Sequence, residues 1–180
     1  IKDYKKMVTM KLKNSENLIL TIGKTEGHID QSAFARNILN EKKGPPPEVN
    51  LFNEKNNGET VLKLIHEDLV KSAHDVSLGG IITAISKMAI KGKKGFKLKK
   101  FKDLMNKFDY YFGEDQGRYV IEIDPKNLSK VQKILKDNSV HFDEIGNVTE
   151  NEIIVDNEPI LHIDDLIESN TNWLEHYMDK

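Results

Sequence analysis

The run GRYVIEID at residues 117–124 alternates strictly, with Tyr119, Ile121 and Ile123 on one face and Val120 and Glu122 on the other. That two-residue period is the signature of a β-strand. Pro125 follows almost at once and opens PKNLSKVQKILKDN, where Leu128, Val131, Ile134 and Leu135 recur at helical spacing. Proline suits the first helical position, because the N–H it lacks would find no partner there. A strand that hands over directly to an amphipathic helix restricts the chain to folds in which helices lie on a sheet.

The rest of the sequence alternates in the same way. NLILTIG predicts a strand ending at Gly23, and residues 31–40 a helix with Phe34, Ile38 and Leu39 turned inward. KGPPPEVN at 43–50 is a hard break, since three prolines remove three donors and force extended backbone. Residues 58–72 predict a helix with Val61, Leu62, Ile65 and Leu69 as its stripe; AHDVS leaves room for a short buried strand. Residues 79–92 predict a second helix burying Ile81, Ile82, Ile85, Met88 and Ala89, with Gly92 as its stop. GFKLKK reads as a strand and FKDLMNKF as a short helix. HFDEIGNVTE and NEIIVDNEPILHI supply two or three more strands, turning at Asp156-Asn157, before a closing helix capped by Asp164 or Asp165. The expected class is α+β: a mixed β-sheet with helices packed on it in three layers, α/β/α, as one domain over residues 1–180.

Composition narrows the function. The formal net charge of −2 gives no global field for nucleic acid or an anionic membrane. The absence of cysteine excludes disulfides and thiolate metal sites. Eight lysines fall between Lys91 and Lys107, but with only Phe96 and Phe101 among them they read as a solvated face. No apolar run is long enough to span a bilayer and the first residues carry no signal-peptide pattern, so a cytoplasmic protein without a nucleic-acid or membrane partner is expected. A start at Ile1 suggests a piece of something longer. Two arginines, Arg36 and Arg118, stand against 25 lysines. A chain that uses lysine nearly everywhere can be keeping arginine where a planar fork is needed, so Arg118 is expected to pair bidentately with a carboxylate or phosphate.

Three clusters could carry chemistry. GKTEGHIDQS (23–32) joins a strand to a helix, where free backbone N–H groups and the helix dipole suit an anion; the plainer reading is a turn with Asp30 or Ser32 as N-cap. It lacks the Gly-Lys-Ser/Thr order of a Walker loop. HDVSLGG (74–80) places His74 and Asp75 on opposite faces if extended, which speaks against a shared metal or a general-base pair. Ser77 lacks a nucleophile-elbow setting. Glycines at 79 and 80 let backbone approach a ligand or a neighbour. YYFGEDQGRYV (110–120) crowds Glu114, Asp115, Gln116 and Arg118 before a strand, where they can hold a ligand's polar groups or satisfy their own backbone. His66, His141, His162 and His176 share no ligand spacing.

Together IGKTEGHIDQSAFARNIL, GPPPEVNL, AHDVSLGGIITAISKMAI and FGEDQGRYVIEI come in an order that resembles the synthetase superfamily of aminoimidazole ribonucleotide synthetase. Within it the sequence is most similar to the phosphoribosylformylglycinamidine synthase family, over nearly the whole chain, as the C-terminal domain of the second of two internal halves. TNWLEHYM looks like the terminus of the short form of that enzyme. The resemblance implies an ATP-dependent carbon–nitrogen ligase of purine biosynthesis. ATP with magnesium activates the amide oxygen of formylglycinamide ribonucleotide, and ammonia then displaces the phosphate. It implies as partners the N-terminal synthetase domains of the same polypeptide, which carry the ATP and magnesium site, with a glutaminase subunit and a small accessory subunit. No catalytic residue and no metal ligand is expected in this chain, which would be inactive alone. Its candidates for a nucleotide or phosphate pocket are Gly27, His28, Ser32, His74, Asp75, Ser77, Gly79, Gly80, Glu114, Gln116 and Arg118. Two departures from the family pattern stand out: Leu78 where an acid is usual, and Asp115 where serine is common and where a second acid would repel phosphate. The alternative functions are a structural or assembly module, or a domain of another member of the superfamily, such as selenophosphate synthetase or thiamine monophosphate kinase; EDQGR and GPPPEVNL argue against those two.

Overall fold

A computed structural model describes residues 3–99 and 105–178, apart from the side chains of 175 and 176. The elements in chain order are β1 (Leu18–Ile22), α1 (Ala33–Asn37), α2 (Leu51–His66), β2 (Val70–Val76), α3 (Gly80–Gly92), β3 (Gly95–Leu98), α4 (Lys107–Phe112), β4 (Arg118–Ile123), α5 (Leu128–Asp137), β5 (Phe142–Thr149), β6 (Glu152–Val155), β7 (Glu158–His162), α6 (Ile163–Thr171) and α7 (Trp173–Met178). The seven strands form one sheet in the order β2-β4-β1-β5-β3-β6-β7. Its pairs are antiparallel except β3 with β6, which makes it mixed.

The alternation in β4 is what makes three layers. Val120 faces a core built with Ile81, Ile85 and Met88 of α3, Tyr111 of α4 and Ile163 of α6. Ile121 and Ile123 face a second core with Val61 and Leu64 of α2 and Val131, Ile134 and Leu135 of α5. Each face of the sheet is thus covered by helices, the expected α/β/α arrangement. Glu122 is fully buried on the first face, where its carboxylate accepts the N–H groups of Lys13 and Asn14, the Asn17 amide and the Ser72 hydroxyl. Charge-assisted bonds of this kind make a buried carboxylate tolerable.

Several expected boundaries shift. The helix expected over 58–72 runs instead from Leu51 to His66, because Asn50 caps it with a bond from Asn53 N–H at 3.0 Å, just past the prolines. Gly58 is interior to it, and residues 70–72 belong to β2. Leu64 replaces Leu62 on its buried stripe. The AHDVS strand is the sheet's edge rather than its interior. Helix α1 has only five residues, so Ile38 (65% exposed) and Leu39 lie outside it and face solvent. The closing helix is entered at His162, with Asp165 reaching back to the His162 N–H. The helix expected over FKDLMNKF falls partly on 101–104, outside the described residues; the described helix there is α4.

Candidate functional site

Antiparallel pairing puts all three clusters at one end of the sheet. Ile22 at the end of β1 pairs with Tyr119 at the start of β4, and Val76 at the end of β2 pairs with Arg118. The loops leaving β1 and β2 and the loop entering β4 therefore meet.

Two neighbouring carboxylates tie them together. Asp115 accepts the backbone N–H groups of Glu26 and Gly27 on Oδ2 and of His28 on Oδ1, each at 3.0 Å. Glu114 Oε1 accepts Ala33 N–H at 2.7 Å and Gly79 N–H at 2.8 Å, and its own N–H donates to the His28 carbonyl. One side chain thus joins the start of α1 to the approach to α3. Gly27 permits this wrapping because its φ of +77° lies in the left-handed region and a Cβ would press on Asp109 and Met105 at 3.0 Å. Phe34 of α1 stacks on Phe108 and Phe112 of α4 with centroids 5.6 and 4.6 Å away, fixing that side of the loop.

Arg118 lies beneath, 1% exposed. Its guanidinium donates to the carbonyls of Asp115 (3.1 Å) and Gly113 (2.7 Å) and to the Thr25 hydroxyl (3.1 Å), and stands 3.6 Å from Asp115 Oδ2. The expected bidentate fork on a carboxylate or phosphate is not what forms. The acceptors are spread over two loops, so the arginine braces those loops rather than reading a ligand. Burial lowers its pKa from the ordinary value, opposed by the Asp115 carboxylate and Tyr110.

The cleft above these loops measures about 710 Å³. Of the candidate residues, Gly27, His28 and Gln116 line it, together with Asp115 and the carboxamides of Asn53 and Asn57 on α2. Sequence reasoning missed both carboxamides. His28 also donates Nε2–H to the Pro45 carbonyl at 3.0 Å, which fastens the proline strap beside the cleft. Gln116 donates to the Glu114 carbonyl at 3.2 Å. Ser32, Glu114 and Arg118 are supports outside the cleft lining, and His74, Asp75 and Ser77 do not line it.

Ser32, not Asp30, is the cap of α1: its buried hydroxyl accepts Ala35 N–H at 3.1 Å. Ser32→Ala is expected to cost about 0.5–2 kcal/mol, read as a lower urea midpoint.

At the edge strand the structure corrects one reading. His74 Nδ1 and Asp75 Oδ1 are 2.9 Å apart, so the two side chains do pair. Neighbours in sequence, they pair although β2 is extended, on a strand whose outer edge is met among the described residues by a single bridge from Thr9 to Ser72. Because the acceptor is a carboxylate, the proton sits on Nδ1. Burial raises the Asp75 pKa, but the bonds from His74, its own backbone N–H and Ser77 outweigh it and leave it below the usual range. Leu78 is 65% exposed beside this pair.

Two tyrosines of α4 carry shifted pKa values. Tyr110 is pushed up to about 12, by burial first and by Asp143 second. Tyr111 is raised further, by burial and by its bond to Asp156. A phenol whose folded pKa exceeds its unfolded value of about 10 contributes stability that is complete below pH 10 and lost as pH rises through the folded value. Stability is thus expected to fall between about pH 10 and 12. Tyr110→Phe should remove part of that slope in denaturation measured against pH.

The family model for "AIR synthase related protein, C-terminal domain" matches residues 14–156. Phosphoribosylformylglycinamidine synthase subunit PurL of Pelagibacter ubique (strain HTCC1062) is 66% identical over 179 residues, covering 99% of this chain and 24% of the relative. The Bartonella henselae subunit PurL is 38% identical over 180 residues, 98% of this chain and 24% of its own length. The chain spans about a quarter of the length of these curated relatives. Among solved structures, Thermotoga maritima PurL complexed with FGAR matches with a TM-score of 0.73 at 20% identity, over 91% of this chain and 30% of that one. The same protein complexed with ATP gives 0.67 at 20% identity, over 91% and 28%. Thiamine-monophosphate kinase of Stenotrophomonas maltophilia K279a gives 0.57 at 12% identity, over 85% and 54%. At those identities the structural matches establish the fold.

Proposed function

The chain belongs to the AIR synthase related family, as its C-terminal domain, and from that premise we propose that it is the second-half C-terminal domain of a phosphoribosylformylglycinamidine synthase. In that reading the complete polypeptide uses ATP to phosphorylate the amide oxygen of formylglycinamide ribonucleotide. Ammonia from a glutaminase subunit then displaces phosphate, leaving the amidine, ADP and inorganic phosphate. The N-terminal domains of the same polypeptide, the glutaminase and a small accessory subunit are the partners, and the cytoplasm is the setting. No helix among the described residues is long and apolar enough to cross a membrane.

The observation that carries this reading is the 66% identity to a PurL subunit along 99% of the chain. The meeting of the three loops on Glu114 and Asp115 agrees with it, because it gives the quoted motifs a common physical purpose. The first and third clusters line one wall of a cleft, and the second is tied to that wall through the Gly79 N–H on Glu114.

Magnesium belongs, in this reading, to the N-terminal domains of the polypeptide. Among the described residues no three histidines or carboxylates converge as a metal site, and Leu78 offers no donor. The carboxylates of Asp115 and Glu114 are already engaged by backbone N–H groups. What this chain's residues do is position. Asp115 and Arg118 hold residues 25–28, Glu114 holds the starts of α1 and α3, and Gln116, Asn53 and Asn57 face the cleft with hydrogen-bonding groups.

The test is ADP formation that requires both formylglycinamide ribonucleotide and ammonia. The intact polypeptide that carries this chain should show it and the 180-residue chain alone should not. An inactive intact polypeptide, or turnover by the chain alone, contradicts the proposal.

A further inference from the structure

Three consecutive backbone N–H groups, those of Glu26, Gly27 and His28, converge around a left-handed glycine. Such a concavity is a general receptor for phosphate or sulfate oxygens. Here the chain fills it from within. Asp115 places both carboxylate oxygens in it at 3.0 Å from the three nitrogens, and the carboxylate is nearly buried. Arg118 behind it balances the charge at 3.6 Å. Glu114 does the same for the N–H groups of Ala33 and Gly79.

We propose that Asp115 is a specificity-determining residue: it is the internal anion of this loop, and it closes the loop to a ligand's phosphate while leaving the cleft open to hydroxyl and amide groups. The proposal goes beyond the synthetase reading and rests on the geometry of Asp115 and the lining of the cleft. An incoming phosphate meets no free N–H at residues 26–28 and faces the Asp115 carboxylate, with Glu26, Asp30 and Glu48 on the same rim and Lys24 there held by Glu26 at 2.7 Å. A ligand's uncharged polar groups meet instead the carboxamides of Asn53 and Gln116 and that of buried Asn57, the last two each already giving one N–H to a backbone carbonyl, of Glu114 and of Gly117. Any phosphate on a ligand of this cleft is therefore directed away from residues 26–28.

Inorganic phosphate titrated into the isotopically labelled 180-residue chain at constant ionic strength tests this. The amide resonances of Glu26, Gly27 and His28 should stay in place in the wild type and shift saturably in Asp115→Ser, whose short side chain leaves the concavity open. Saturable shifts at those amides in the wild type overturn the proposal, whatever the variant does. So does a folded Asp115→Ser, judged by unchanged β4 resonances, that ignores phosphate. Should the serine variant not fold in buffer, phosphate in place of chloride at equal ionic strength should restore its β4 resonances by filling the vacated concavity, and no recovery contradicts the proposal. The readout needs neither ATP nor turnover, so its failure is distinct from failure of the synthetase reading.

Discussion

Arg118→Leu is expected to destabilise the chain by about 3–5 kcal/mol, the cost of removing one member of a buried charged pair. The loss is large because the guanidinium does several jobs at once. It satisfies the carbonyls of Gly113 and Asp115, holds Thr25 and neutralises the Asp115 carboxylate, all with 1% of its surface exposed. Leucine fills part of the volume and leaves every one of those acceptors in a dry site. Arg118→Lys keeps the charge but cannot reach three separate acceptors from one ammonium, so a smaller loss of about 1–3 kcal/mol is expected. Urea unfolding of the three proteins measures both. A leucine variant within about 0.5 kcal/mol of the wild type, as for a surface substitution, would show that the brace is not one.

Gly80→Ala should come next, at about 2–5 kcal/mol, as a sum of two effects. The backbone there has φ +70°, a conformation that costs a residue with a Cβ roughly 1–2 kcal/mol. The added Cβ would also lie 2.6 Å from the Tyr111 carbonyl oxygen, 2.7 Å from the Phe112 carbonyl carbon and 2.8 Å from the Gly113 oxygen. Those atoms are backbone and cannot rotate aside, so α3 must move off α4, and overpacking of this kind adds about 1–3 kcal/mol. Gly58→Ala is the control. It sits inside α2, its Cβ would meet only the Tyr119 hydroxyl at 3.1 Å, and helix propensity favours alanine by up to about 1 kcal/mol. Thermal melts should separate the two variants in sign or nearly so.

The sheet and its layers were readable because they depend on periodicity. GRYVIEID alternates, and the inward residues expected of α3 and α5 are the ones that pack on the sheet. The start of α2 was not, because its first turn carries exposed Leu51 and Phe52 and shows no stripe, while Gly58 looks like a boundary and is an interior residue. The three clusters were found, but their relations were not. Spacing places His74 and Asp75 on opposite faces and cannot show that their side chains pair. The sequence marks Asp115 as an acid that repels phosphate. Only the fold reveals that it satisfies the very N–H groups a phosphate would use. Long-range side-chain to backbone bonds, here spanning 81 to 89 residues between Asp115 or Glu114 and the loop after β1, leave no local signature.

The central claim is that Glu114, Asp115 and Arg118 lock three loops into one unit. Native-state hydrogen exchange at the amides of Glu26, Gly27, His28, Ala33 and Gly79 tests it most directly. These five amides should be protected to a similar free energy, approaching that of the β4 amides, and lose protection together in Arg118→Leu. Exchange at these amides as fast as at the exposed strap of residues 41–44, or loss at one loop without the others, would contradict it.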